Sequence, residues 1–336
     1  VYKRQGETLL DTMLPTQHRN ALLETEEQMR DFLVSGGMQE IINHPLTMSE
    51  SHDKLHPGSE AMSDDEFVVL SNPGAPERRV MRRTLLVSAL DNLARNLRFA
   101  DRLKTFEIGR VYEPIKGEGP LPQEDRRLSL LMAGPRQSSN FYGADVEEMD
   151  FFDLKGVIEI VLERLGFKTT DVTFKAKPDT DSFGPRCAEI WLQDQKVGIM
   201  GEIHPQVRTN INLPNLRVNV ADLHIEPMVR PHWRLEPMQP ISNYPPVVED
   251  LAFEVDEAIT SRSVMDLIQE AGTRLLVNIE LFDIYRGDPI PPGRKSLAYN
   301  LTYQSPERNL RDKEVAKLRK QIVRTVERET GGKLRS

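Results

Sequence analysis

The chain has 336 residues, of which 29% are charged and 6% aromatic, with a formal net charge of −8. This composition excludes a disordered polymer, and the length leaves room for two domains that each bury a core. No stretch approaches the roughly 18 apolar residues of a membrane span. No basic-then-apolar leader is visible, and the opening VYKRQGETLL lacks Met, so a preceding segment is expected. The one cysteine, Cys187, excludes an internal disulfide framework. It reads as a packing residue of a protein from a reducing compartment, which sets the expected location as cytoplasmic.

In chain order, the apolar residues at 22, 29, 32 and 33 with glutamates between them predict an amphipathic helix over 19–35, stopped by Gly36-Gly37. FVVL at 67–70 predicts a strand ending in the turn SNPGAP. Leu86, Ala89, Leu90, Leu93 and Leu97 share one helical face. FEIGRVYEPIKGEG, 106–119, predicts a strand running into the turn KGEGP, with RRLSLLMAG as its antiparallel partner. FFDLKGVIEIVLERLGF predicts a third helix, and AEIWLQ and KVGIMGEIHP two short strands. Helices interleaved with antiparallel strands place the fold in the α+β class. Six prolines between Glu226 and Pro246 make a stiff connector, so the boundary falls between domains 1–243 and 244–336. Beyond it come VVEDLAFEVD, a strand; SRSVMDLIQEAG, a helix capped by Ser261; LVNIELFDIY and KSLAYNLTYQ, strands; RDKEVAKLRKQIVRTVERETG, a long helix; and KLRS, a last strand. The order βαββαβ is the ferredoxin-like unit.

Charge is uneven. Residues 244–336 balance fifteen acids with fifteen bases, yet 294–335 alone carry twelve bases against five acids. On the last helix Val315, Leu318, Ile322 and Val326 fall on one side. Lys313, Lys317, Lys320, Arg324 and Arg328 line the other, within a sector about 80° wide. Such a row suits a phosphate backbone and carries no sequence code; it equally suits a solvated outer face. Arg294, Lys295, Arg308 and Arg311 add charge to the same half-domain and turn the reading towards nucleic acid. His52 and His56 stand four apart but lack the glutamate and third ligand of a zinc site, so no metal is expected. His44 and His204 each precede proline and read as turn residues. Glu147, Glu148 and Asp150 read as a solvated run.

LSNPGAPERRVMRRTLLVSALDNLARN followed by KTFEIGRVYEP resembles the catalytic-like module of the bacterial phenylalanine–tRNA ligase beta chain. So do MDFFDLKGVIEIVLERLGF and VGIMGEIHPQV. The tail, with PPVVEDLAF, VNIELFDIYRG, GRKSLAYNLTYQSPERNL and GGKLRS, is similar to that family's ferredoxin-fold anticodon-binding domain. The resemblance covers the whole chain but less than half of a full beta chain. It implies a class II synthetase-like antiparallel sheet with flanking helices over 1–243. In active members an arginine after the E-I-G-R-V-F-type strand clamps ATP; here Glu113 stands there, and VADLHIEPMVRP shows no glycine-rich third motif. The resemblance therefore implies a module with no catalytic residues, paired with an alpha subunit (as α2β2) that holds ATP and magnesium, and a tail that binds tRNA. The helices at 19–35 and 84–99 are candidates for that pairing as well as for the local core. Departures are Glu249 before Asp250, where arginine is usual, and Asn309 and Arg311 in RNLRDKE. Two other readings stay open: a free-standing RNA-binding relative, and an active single-chain phenylalanine–tRNA ligase.

Overall fold

The computed structural model describes residues 13, 16, 18–114, 121–138, 141, 147–177, 180–230 and 241–335. The predicted turn KGEGP and the prolines at 231, 237 and 240 lie outside them. Contacts divide the chain into two compact units, Val1–Leu235 and Glu236–Ser336.

In the first unit α1 spans Ala21–Ser35. Asn20 caps it by accepting from the Leu23 amide at 3.2 Å, and Gly37, at φ +80°, takes the chain out in a conformation that favours glycine. Then follow β1 (Gln39–Glu40), β2 (Leu46–Thr47), α2 (Ser49–Asp53), β3 (Val80–Met81) and α3 (Leu86–Asn96). The predicted strand at 67–70 does not form: Val69 makes only an isolated bridge to Val80. Its partner segment is two residues long, so no ladder can propagate however β-prone the side chains are. Next come β4 (Leu103–Glu113) and β5 (Gln123–Ala133), paired in register from Leu103 opposite Ala133 to Glu113 opposite Gln123. The unit continues with α4 (Phe151–Arg164), β6 (Val172–Ala176), β7 (Phe183–Leu192), β8 (Gln195–Ile203), α5 (Pro205–Asn210) and β9 (Val218–His224).

Seven strands form one sheet in the order β1-β4-β5-β9-β8-β7-β6, antiparallel except for β1 beside β4. One face buries Phe106, Leu128, Leu130 and Met132 under Met29 and Leu33 of α1 and Leu154, Ile158 and Val161 of α4. The other buries Leu131, Val218 and Val220 under Leu86, Ala89, Leu90 and Leu93 of α3. Strand β9 sits between β5 and β8, and its first six residues are all buried. With both faces covered it has no polar–apolar alternation, which is why periodicity did not mark it.

The second unit follows its predicted order: β10 (Val247–Asp256), α6 (Ser261–Gly272), β11 (Leu276–Tyr285), β12 (Arg294–Tyr303), α7 (Asp312–Thr330) and β13 (Lys333–Arg335). The sheet runs β11-β12-β10-β13 and is antiparallel throughout. One boundary shifts: Thr260, not Ser261, caps α6, accepting from the Ser263 amide at 3.2 Å. The core joins Leu251, Phe253 and Val255 to Leu297, Tyr299, Leu301 and Tyr303, under Val264 and Ile268 of α6 and Val315, Ile322 and Val326 of α7.

Candidate functional site

On β4 the two-residue alternation sets Glu107, Gly109, Val111 and Glu113 on the face that also carries α3. Arg82, immediately before α3, lies over this face. Its Nη1 donates to Glu107 Oε1 at 2.7 Å and its Nε to the Arg110 carbonyl at 3.0 Å, while Asn43 Nδ2 donates to Glu107 Oε2 at 2.7 Å. Arg82 is 6% exposed and Glu107 2%. A Cβ at position 109 would lie 2.4 Å from Arg82 Nη2, so glycine lets the guanidinium lie against the strand. Arg127 on β5 is 3.4 Å from Asp222 Oδ1, and Thr84 Oγ1 donates to Asp222 Oδ2 at 3.1 Å. Glu113 is half-exposed at the end of β4, 3.7 Å from Arg83. Arg110, on the opposite face, donates to Glu124 at 2.7 Å. Each of these arginines therefore has a carboxylate of its own chain as partner, and the position of Glu113 adds negative charge.

Beside this cleft His52 and His56 stack with ring centroids 4.8 Å apart, and His52 meets Phe67 edge-on at 5.7 Å. Among the described residues no group of three or more His, Cys, Asp or Glu side chains is placed to hold a metal ion. Burial, then the neighbouring His56 and Arg83, pushes the His52 imidazole down to about 4. Since the folded value lies below the ordinary 6.5, the fold prefers the neutral ring. Its contribution is complete above about pH 6.5 and is lost as pH falls towards 4. His52→Leu is therefore expected to remove about 1 kcal/mol of the acid-induced loss between pH 7.5 and pH 5, after allowance for the ring's partial exposure. Urea midpoints at pH 7.5 and pH 5 check this; parallel pH dependences in the two proteins would refute it.

The remaining singled-out residues of this unit have structural roles. His44 Nδ1 accepts from the Leu46 amide and His204 Nδ1 from the Gln206 amide, each at 3.1 Å, as turn and cap residues. Cys187 is buried, its thiol pushed up to about 11 by burial, which makes it a poor nucleophile. The run at 147–150 is not a solvated run. Asp150 caps α4, accepting from the Phe152 and Asp153 amides, Glu148 accepts from the Arg217 amide, and Glu147 pairs with Arg136.

In the second unit α7 presents Lys313, Lys317, Lys320, Arg324 and Arg328 exposed on one side and buries Val315, Leu318, Ile322 and Val326 on the other. Arg328 pairs with Glu329 at 2.7 Å. Among the described residues the other four have no carboxylate at ion-pair distance. Arg308 grips Glu314 with both terminal nitrogens, at 2.8 and 2.7 Å, and holds that carboxyl down to about 2. Arg311 is exposed at the start of α7. The structure does not bring Arg294 and Lys295 to the row. Arg294 Nη2 donates to the Glu254 carbonyl at 3.0 Å, and buried Lys295 donates to the Glu257 carbonyl at 2.8 Å. Glu249 turns to the helix side, 3.6 Å from Arg319.

The sequence reading missed a second surface. Helices α6 and α7 cover one face of this sheet, and the alternation sets Ala298, Asn300 and Thr302 on the other. There Asn300 donates to Asp250 at 2.8 Å, Val248 is 53% exposed, and Arg335 lies over the Tyr285 ring at 5.6 Å. The signal was present in SLAYNLTY, whose large residues alternate with smaller ones, three of the four polar.

Comparison with known proteins agrees with both halves. The phenylalanyl tRNA synthetase beta chain CLM domain matches residues 7–225, and the ferredoxin-fold anticodon binding domain matches 242–335. The chain belongs to the phenylalanyl-tRNA synthetase beta chain family. Among its relatives, the phenylalanine–tRNA ligase beta subunit of Dehalococcoides mccartyi is 34% identical over 97% of this chain and 39% of its own length. That of Clostridium acetobutylicum is 29% identical over 99% of this chain and 40% of its own. The family member described by this sequence thus spans about two fifths of those relatives. A pyrrolysyl tRNA synthetase of Desulfitobacterium hafniense shares its fold, with a TM-score of 0.50 over 63% of this chain and 68% of that one, at 16% identity. The α+β class, with a synthetase-like sheet followed by a ferredoxin-like domain, therefore holds as read from sequence.

Proposed function

We propose that this chain is the C-terminal part of a cytoplasmic phenylalanine–tRNA ligase beta subunit, holding an alpha subunit and binding tRNA without forming an adenylate itself. The observation that carries this reading is the closed cleft: Arg82, Arg83 and Arg127 face Glu107, Glu113 and Asp222 of their own chain. Phosphates entering there would have to displace three carboxylates, of which Glu107 and Asp222 are buried, so these residues do not fit ATP. ATP and magnesium belong to the alpha subunit, in an α2β2 assembly. Tail and body then divide the labour. The unpaired cations of α7 suit phosphates, and the open sheet face, with Tyr285 and Arg335, suits an unstacked base.

For the alpha subunit the apolar residues left outside the core are the guide. Leu23 and Val34 of α1 and Phe152 and Ile160 of α4 are 47–70% exposed, although both helices bury their other faces. Gly156, midway between Phe152 and Ile160, has nothing within 4 Å of an added Cβ. Helix α3 puts Leu86, Ala89, Leu90 and Leu93 into the local core, and Phe99 just beyond it is 84% exposed. The test is co-purification with an alpha subunit together with phenylalanine-dependent ATP–pyrophosphate exchange. The chain alone is expected to show no exchange. Phe152→Asp combined with Ile160→Asp is expected to abolish co-purification while stability changes by only about 0.5 kcal/mol per site. Exchange by the isolated chain would make it a single-chain enzyme. tRNA binding without any alpha partner would make it a free-standing relative.

A further inference from the structure

A cavity of about 390 Å³ opens between α2, the start of α3 and strands β7, β8 and β9. Leu55, Leu86, Phe183 and Ile199 give it apolar walls. The polar groups at its rim differ in how much bonding capacity they have left. Asp222 accepts from Thr84 on one oxygen and lies against Arg127 on the other. Lys177 Nζ donates to Glu189 at 2.9 Å. Ser182 Oγ donates to the Leu55 carbonyl at 2.9 Å. Among the described residues Asp181 is hydrogen-bonded through Oδ2 alone, accepting from Ser59 Oγ at 2.5 Å. His52, on the same wall, has a buried Nδ1 with no hydrogen-bond partner among the described residues.

We propose that this cavity is a binding site for a small primary amine with an apolar body, its ammonium held at Asp181 and its body against Leu55, Phe183 and Ile199. The volume falls in the range of small-molecule sites, which are mostly apolar with a few placed polar groups. The sign of the head group follows from which charges are already spent. Lys177 is ion-paired with Glu189 and Asp222 with Arg127, whereas among the described residues Asp181, exposed at the rim, has no cationic partner. A charged hydrogen bond there rewards a cation. A carboxylate ligand would face Asp181, and the one lysine of the lining, Lys177, is already paired with Glu189. The cavity adjoins the arginine–carboxylate cleft, sharing Thr84 and Asp222 with it, but the Asp181 end lies outside those pairs and does not depend on how the chain is used in a ligase.

The full chain titrated with 3-methylbutylamine hydrochloride, followed by calorimetry or amide chemical shifts, tests this directly. Saturable binding is expected for the amine, with shifts at residues 52–56 and 180–184, and not for 3-methylbutanol or 3-methylbutanoate. Asp181→Asn keeps an acceptor for Ser59 and removes the charge; it is expected to weaken the amine about tenfold or more. Ile199→Phe, which fills the cavity, should weaken it too. Absence of saturation, equal binding of the alcohol or the acid, or full affinity in Asp181→Asn would overturn the proposal.

Discussion

Glu107→Ala is expected to destabilise the first unit by about 3–5 kcal/mol, the cost of leaving one member of a buried ion pair alone. Arg82 would lose its 2.7 Å partner in a place where water cannot replace it, and Asn43 would lose its acceptor. A companion double replacement, Arg82→Met with Glu107→Leu, should recover much of that loss, because it removes both charges and keeps apolar volume. Gly109→Ala reports on the same contact, since its methyl would occupy the space of Arg82 Nη2. Denaturant titration of the three variants gives the measurement. A loss under about 1 kcal/mol for Glu107→Ala would mean that the pair is solvated. The cleft would then not be closed by its own charges.

Changing Lys313, Lys317, Lys320 and Arg324 together to alanine is expected to flatten the dependence of log tRNA affinity on log salt by about three units. This follows from roughly 0.7–0.9 units per lost phosphate contact. These four are chosen because they are exposed and lack carboxylate partners among the described residues, whereas Arg328, Arg308, Arg294 and Lys295 are already tied. Filter binding between 50 and 300 mM KCl reads the slope. If the slope stays as it was, the backbone contact is not on α7. In that event Tyr285→Ala, expected to cost about 1–3 kcal/mol for a stacked base, locates binding on the open sheet face.

The second unit was legible almost residue by residue. In β12 the order Leu297, Tyr299, Leu301, Tyr303 states the buried face, and in α7 the spacing of Val315, Leu318, Ile322 and Val326 does the same. Both elements have one face in a core and one in solvent, so burial is written as a period. The first unit was legible where the same condition held, as in α1 and α3. It failed at β9, buried on both sides, and at residues 67–70, where β-prone residues met a partner too short to pair. Thr260 displaced Ser261 as the cap of α6 because adjacent hydroxyls are equivalent until the backbone chooses one.

The amino-acid order by itself determined the two-part architecture, the family and the cationic side of α7, since each depends on composition, spacing or motif within a short stretch. It also placed an acid, Glu113, at the end of the β4 strand. Only the tertiary structure decided which charges are free. Arg82 and Glu107 are 25 positions apart, Arg127 and Asp222 are 95 apart, and Lys295 reaches the carbonyl of Glu257 across 38. Whether a cation is available to a phosphate depends on which carboxylate folding brings within about 4 Å of it, because the Coulomb term is short-ranged in solvent. Sequence spacing carries no record of that distance.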